Sequence, residues 1–171
     1  MLVIVGNTGL MIFGIKELST DAQNTKRAFS AIASLLSRKV KKSAPGDYTV
    51  IRNTFVGYMK REQQLDYNEM ISTILDDYQA DSLSQDSLDE LKNKLMELPD
   101  KRKFDRSFTV VPKEIRAKVR QLYKVNDGIE IKVNDFVQDI KHKISAEEDV
   151  VTGTKYIRIM TNNEDVYQQF R

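Results

Sequence analysis

Apolar residues along this chain change their period several times, and each change predicts an element. Leu2-Val3-Ile4-Val5 and Leu10-Met11-Ile12-Phe13-Gly14-Ile15 are short apolar runs flanking Gly6-Asn7-Thr8-Gly9. Gly and Asn tolerate the positive φ of tight turns, so this stretch predicts an initial β-hairpin. Ala28, Phe29, Ile32, Leu35, Leu36 and Val40 then recur at helical spacing, and Thr20 with Gln23 forms a capping box ahead of them. A helix over about 21–41 follows, ended by Ser43-Ala44-Pro45-Gly46. Tyr48, Ile51, Phe55, Tyr58 and Met59 fit a helix, while Thr49, Val50, Ile51, Thr54 and Val56 leave a strand open. Met70, Ile71, Ile74, Leu75 and Tyr78 mark another helix. Ser87-Leu88-Asp89-Glu90 reads as a capping box for a short helix carrying Leu88, Leu91, Leu95 and Leu98 up to Pro99.

Beyond Pro99 the texture changes. Residues 99–111 form a charged segment that suits a boundary between subdomains, and Pro112 suits the first turn of a helix to about Tyr123. Asn126-Asp127-Gly128 turns into the period-two strand Ile129 to Val133. Further strands are predicted over Ile140–Ile144 and Tyr156–Met160, with Asn162 placed to cap a closing helix. The expected fold is α+β. Residues 1–98 form a mainly helical region with the initial hairpin, 99–111 a linker, and 112–171 a helix plus a small three-stranded antiparallel sheet. The two parts form separate subdomains or one continuous domain.

A chain of 171 residues with 40% hydrophobic composition can bury a core. It has no cysteine, which excludes a disulfide framework and a thiolate zinc site and fits a reducing, cytoplasmic compartment. The apolar start lacks a basic leader and falls short of the ~20 apolar residues a membrane span requires, so no signal peptide, membrane span or membrane partner is expected.

The formal charge of +2 conceals segregation. Residues 1–61 hold 10 Lys+Arg against 3 Asp+Glu, residues 62–100 hold 2 against 11, and residues 101–171 hold 15 against 11. Such blocks set local potentials that act within about 8–10 Å. In the expected helix after Pro112, Ile115, Val119, Leu122 and Tyr123 share one face, and Lys113, Arg116, Arg120 and Lys124 another. A basic stripe of this kind can follow a phosphate backbone; it also fits a solvated helix face. Lys132, Lys141 and Lys143 add to it. Arg38, Lys39, Lys41 and Lys42 offer a second phosphate contact or complement a helix dipole. Tyr48, Tyr58, Tyr123 and Tyr156 would stack on bases if exposed, but their apolar surroundings favour core packing.

Catalytic signals are sparse. His142 is the only histidine, no nucleophile elbow or His-Glu-x-x-His occurs, and Gly6 to Gly9 lacks the Lys-Ser/Thr of a phosphate loop. No cofactor is expected. A metal-dependent nuclease built on carboxylates stays open, although no spacing singles out a ligand set.

Phe108-Thr109-Val110-Val111-Pro112, the basic helix, Gly128 to Asp135, Phe136 to Ile144 and Thr154 to Ile159 together resemble the C-terminal region of bacterial nucleoid-associated proteins of the NdpA type. The resemblance covers about 104–171, with a weaker likeness back to about residue 48. It implies a non-catalytic protein of the nucleoid that binds double-stranded DNA. Gln138-Asp139 stands where that family usually has Leu-Gly before its second strand, and family members are considerably longer. The expectation is low-specificity DNA binding through Lys113, Arg116, Arg120, Lys124, Lys132, Lys141 and Lys143, with Arg38, Lys39, Lys41 and Lys42. The alternative is a protein-interaction or dimerisation module, bacterial or phage-encoded, in which the acidic block of residues 62–100 or the initial hairpin makes the contact.

Overall fold

In the computed structural model, the backbone of residues 4–6 and 9–11 and the whole of residues 19–171 are described. Strand β1 (Ile4–Gly6) pairs antiparallel with β2 (Gly9–Met11), Ile4 opposite Met11 and Gly6 opposite Gly9. The other residues of the expected hairpin, its turn residues Asn7 and Thr8 among them, lie outside the described residues.

Helix α1 (Asp21–Lys39) starts at the predicted capping box, with Thr20 and Gln23 each satisfying the other's backbone N–H. Its apolar face, Ala28, Phe29, Ile32, Leu35 and Leu36, is buried. The open choice over Tyr48 to Met59 resolves as helix α2 (Pro45–Arg61). Thr49 and Thr54 donate their hydroxyls to the carbonyls four residues back. Burial of Ile51, Phe55, Val56 and Met59 at 0–2% exposure outweighs the β-branched preference. Each such side chain contributes about 1.5–3 kcal/mol.

A short strand β3 (Gln64–Asp66) leads into α3 (Tyr67–Leu75), capped by Asp66. Helix α4 (Gln85–Met96) begins at Ser84, whose hydroxyl accepts from the Ser87 backbone N–H, so the cap lies three residues before the predicted Ser87. Pro99 does not end the helical pattern; it occupies the first turn of α5 (Leu98–Arg102), which stops at Lys103 in the left-handed region (φ 54°).

The charged segment 99–111 is part of the core. Its charges other than Asp105 face solvent, but Phe104, Phe108 and Val110 between them are buried among the helices. Strand β4 (Ser107–Thr109) pairs with β3, Leu65 opposite Phe108. Polar side chains of α1 hold this segment as a neighbouring strand would. Asn24 exchanges hydrogen bonds with Asp105, Asp21 accepts from the Thr109 N–H at 3.0 Å, and Thr25 accepts from the Val111 N–H at 3.0 Å. Tyr67 packs edge-on to Phe104 with ring centres 5.2 Å apart and donates its hydroxyl to the Leu95 carbonyl.

The C-terminal third departs from expectation in four places. The helix after Pro112 is a 3₁₀ turn (Pro112–Glu114) followed by the four-residue α6 (Arg116–Val119), and residues from Gln121 are strand β5 (Gln121–Asn126). Strand β5 pairs with β6 (Ile129–Val133) across a turn in which Gly128 takes φ 78°. The expected strand at Ile140–Ile144 is helix α7 (Ile140–Lys143), and the strand begins where it ends, as β7 (Ile144–Glu148). Asp139 in the left-handed region (φ 51°) turns its carbonyl to accept from the N–H groups of His142 and Lys143, which winds the chain. Among the described residues strand β7 pairs only with β8 (Lys155–Ile159), so two separate two-stranded hairpins stand there in place of the expected three-stranded sheet. Helix α8 (Glu164–Gln169) is capped by Asn163, one residue after the predicted Asn162.

Candidate nucleic-acid interface

Ile115 and Val119, four residues apart, are buried at 0% and 4% exposure and pin α6 to the helical core. Arg116 and Lys118 between them are left at the surface. What stops α6 is Arg52 of α2. Arg52 is only 8% exposed as a residue, and its guanidinium donates to the Lys118 carbonyl at 2.7 Å and the Val119 carbonyl at 3.2 Å. In a continuing helix those carbonyls would accept from residues 122 and 123. Arg120 therefore leaves the helix with ψ 136° and the chain becomes strand. With its amide oriented to satisfy both neighbours, Gln121 accepts from Arg52 Nε at 2.9 Å and donates to the Tyr123 hydroxyl. Phe29 lies under the guanidinium, its ring centre 5.9 Å away. Burial lowers the Arg52 pKa, against the opposing influence of Tyr48 and Tyr123.

The same helix fastens the following connection. Asn53 donates to the Val137 carbonyl at 2.8 Å and accepts from the Val137 N–H at 2.9 Å, the pair of bonds a strand neighbour would make. At Gly57 a Cβ would stand 2.6 Å from the Phe136 ring, so glycine is what lets that ring close on the helix. Lys60 pairs with Asp135. The Lys60 hydrogen bond, and then the Phe136 backbone N–H, hold the Asp135 carboxyl below its usual range.

These fasteners shape a concave patch of about 480 Å³ lined by Lys60, Pro112, Lys113, Arg116, Val119, Arg120, Asn134 and Asp135. Among the described residues, four cations thus share one hollow with a single carboxylate, which is engaged by Lys60. Lys113, Arg116 and Arg120 come together as the spacing suggested, though through a turn and a bend. Lys60 belongs to a different helix and was not foreseen; the basic end of α2, Lys60-Arg61, was the available sign.

The other expected contacts are dispersed. Lys124 sits on β5 in an ion pair with Asp127 at 2.9 Å, off the stripe. Lys132 is exposed on β6, Lys143 is exposed at the end of α7, and Lys141 pairs with Asp81. The Arg38–Lys42 group divides. Arg38 and Lys39 line a second hollow of about 460 Å³ with Lys94, Lys101 and Arg102. Lys41 instead lies over the Tyr48 ring at 5.7 Å, and Lys42 is exposed. Glu90 accepts from both Lys39 and Lys94, Glu97 from Lys101, and the adjacent Lys39 lowers the Lys94 pKa. Tyr48 is buried, Tyr58 and Tyr123 are half-buried, and Tyr156 is 52% exposed.

The acidic block is largely engaged within the molecule. Asp76 pairs with Lys92 and Asp81 with Lys141. Asp47 of α2, at 0% exposure, organises the adjoining loop by accepting from the Tyr78 hydroxyl and the N–H groups of Asp81, Ser82 and Leu83. Burial opposes its charge, but the bonds from Tyr78, Ser82 and Leu83, with Lys141 nearby, hold the carboxyl below its usual range. Burial and the Asp47 hydrogen bond push the Tyr78 phenol up in turn. Among the described residues no three acidic or histidine side chains converge as a metal-binding group, and no helix is long and apolar enough to cross a membrane.

No protein-family profile, curated protein or solved structure matches the chain.

Proposed function

We propose that the protein binds duplex DNA through phosphate contacts with little sequence preference, as a non-catalytic, nucleoid-associated protein of the cytoplasm. The observation that carries this reading is the convergence of Lys60, Lys113, Arg116 and Arg120 on one hollow. Arg116 and Arg120 offer planar donor forks suited to phosphate oxygens, and Lys60 and Lys113 act as point charges. The resemblance of residues 104–171 to the NdpA type points the same way. Helix α6 has four residues and is about 6 Å long, too short to lie along a major groove and read bases, which favours backbone contacts over direct readout.

The test is a fluorescence-anisotropy titration with random-sequence duplex. Four phosphate contacts give a log K against log salt slope near −3.6, so affinity falls roughly 150-fold between about 50 and 200 mM salt. The double variant Arg116→Glu/Arg120→Glu loses binding on every sequence. Binding indifferent to salt and to that variant, or no binding at either salt, overturns the reading. A plasmid-nicking assay with magnesium or manganese is expected to leave the DNA intact.

A further inference from the structure

Strand β6 reads Ile129-Glu130-Ile131-Lys132-Val133, and among the described residues its only ladder partner is β5. Its other edge is open. Natural edges of this kind are blunted by charged side chains, bulges, prolines or a strong twist, because a flat edge templates pairing with another chain; the charges of β6, Glu130 and Lys132, are of opposite sign and repel a second strand only where like meets like. The irregularity of this hairpin sits on the opposite strand, where Val125 is the extra residue between Lys124 and Asn126; β6 is regular along its length. A two-stranded hairpin on its own is marginal in water and gains stability from further strands with an apolar face or from packing against a helix; this one is tied to α2 at its start, through Gln121 and Arg52, and just past its end, through Val137 and Asn53. Here Ile129 is 58% exposed and Leu122 58%. Ile131 and Val133 line, with Tyr123, Ile140, Ile144 and Ile157, an apolar hollow of about 440 Å³ between the two hairpins.

The sequence of β6 is complementary to itself. Turned about a two-fold axis through Ile131, it sets Ile131 against Ile131, Ile129 against Val133, and Glu130 against Lys132, the last two pairs occurring twice. Within the hairpin Lys124 already stands opposite Glu130. A second copy therefore extends the row as Lys124, Glu130, Lys132, with signs alternating across three strands. The neighbouring strands lack this property. Strand β5 has a single charge, β7 carries only acidic charges, and β8 carries Lys155 and Arg158, both positive. We infer that β6 pairs antiparallel with β6 of a second copy of this chain, joining two hairpins into one four-stranded sheet. Such a contact uses the same surface on both partners and closes at two copies. It involves no DNA and is tested without it.

The experiment is a charge swap followed by sedimentation velocity on the full chain. The wild type is expected to sediment at twice 19.7 kDa. Glu130→Lys sets Lys against Lys132 at both ends of the pairing, and Lys132→Glu sets Glu against Glu130. Each alone weakens association on the order of tenfold or more, since opposed like charges replace attractive cross-strand pairs. Mixing the two variants restores the dimer as a heterodimer, because every opposed pair is then Lys with Glu. The double variant Glu130→Lys/Lys132→Glu restores the homodimer, which shows that the single variants failed by pairing and not by unfolding. A monomeric wild type, single variants as dimeric as the wild type, or a mixture that stays monomeric each overturns the proposal.

Discussion

The helices between Asp21 and Val119 bury their large apolar side chains almost completely, whereas beyond Arg120 only Ile140 reaches comparable burial and every residue from Val150 onward is exposed. One region takes its shape from packing, the other from backbone ladders and a few polar fasteners on α2. The basic hollow lies where they meet, with α6 pinned to the packed region and Asn134 and Asp135 supplied by the other. Rigid support and open surface are thus held in different parts of one chain, a common arrangement for recognition surfaces carried on a stable scaffold.

The sharpest test of that contrast is native-state hydrogen exchange. Amides of α1, α2 and α4 are expected to exchange about a thousandfold or more slowly than those of β7, β8 and α8, because core amides open only near the global unfolding free energy. Equal protection in the two regions removes the distinction. Next in size is the seam. Arg52→Met leaves the Lys118 and Val119 carbonyls without their donor and should cost about 3–4 kcal/mol in a denaturant titration. DNA affinity should fall with it, since α6 then loses its stop.

Asp47→Asn acts on the loop after α3 within the packed region, with Lys141 the nearby charge from beyond it, and is expected to cost about 2–3 kcal/mol, lowering Tm by roughly 5–10 °C. Its pH dependence has a definite sign. The folded carboxyl titrates below the unfolded value of about 3.9, so the stabilisation is complete above about pH 4 and is lost as pH falls through the folded pKa. Wild type and variant should converge in acid. The smallest effect belongs to Asp135→Asn, which removes the one carboxylate of the hollow and releases Lys60. About threefold tighter DNA binding at low salt is expected, fading as salt rises; weaker binding would mean that Asp135 positions the cations instead of opposing them.

Elements whose signal was local were legible in the sequence. The Thr20 and Gln23 capping box, the apolar face of α1 and the turn at Gly128 all appear where spacing and residue chemistry put them. Two of the failures, the long helix after Pro112 and the linker at 99–111, share a cause, which is that a contact from far along the chain decided the local conformation; the strand expected at Ile140–Ile144 failed on the local left-handed turn at Asp139. Lys113, Arg116, Arg120 and Lys124 keep helical spacing, but Arg52, more than sixty residues earlier, takes the carbonyls that would have continued the helix. Residues 99–111 have a linker's charge, yet Phe104 and Phe108 find the core and Asp21, Asn24 and Thr25 receive the backbone beside them. The hollow was half legible for the same reason. Three of its cations lie within eight residues, and the fourth, Lys60, joins only through the fold.

The two hydrogen bonds between Asn53 and Val137 bear on how the chain tolerates changes in length. They fix one register between α2 and the connection after β6, with Phe136 seated on Gly57 and Asp135 on Lys60 immediately before it. A residue inserted between Asn134 and Val137 would put at least one of these neighbours out of step. Among the described residues, the turn from Asp149 to Thr154 is held only by its own local bonds, with Val150 and Val151 at 94% and 90% exposure. That turn is the place where an added loop, a tag or a cleavage site would leave the basic hollow undisturbed.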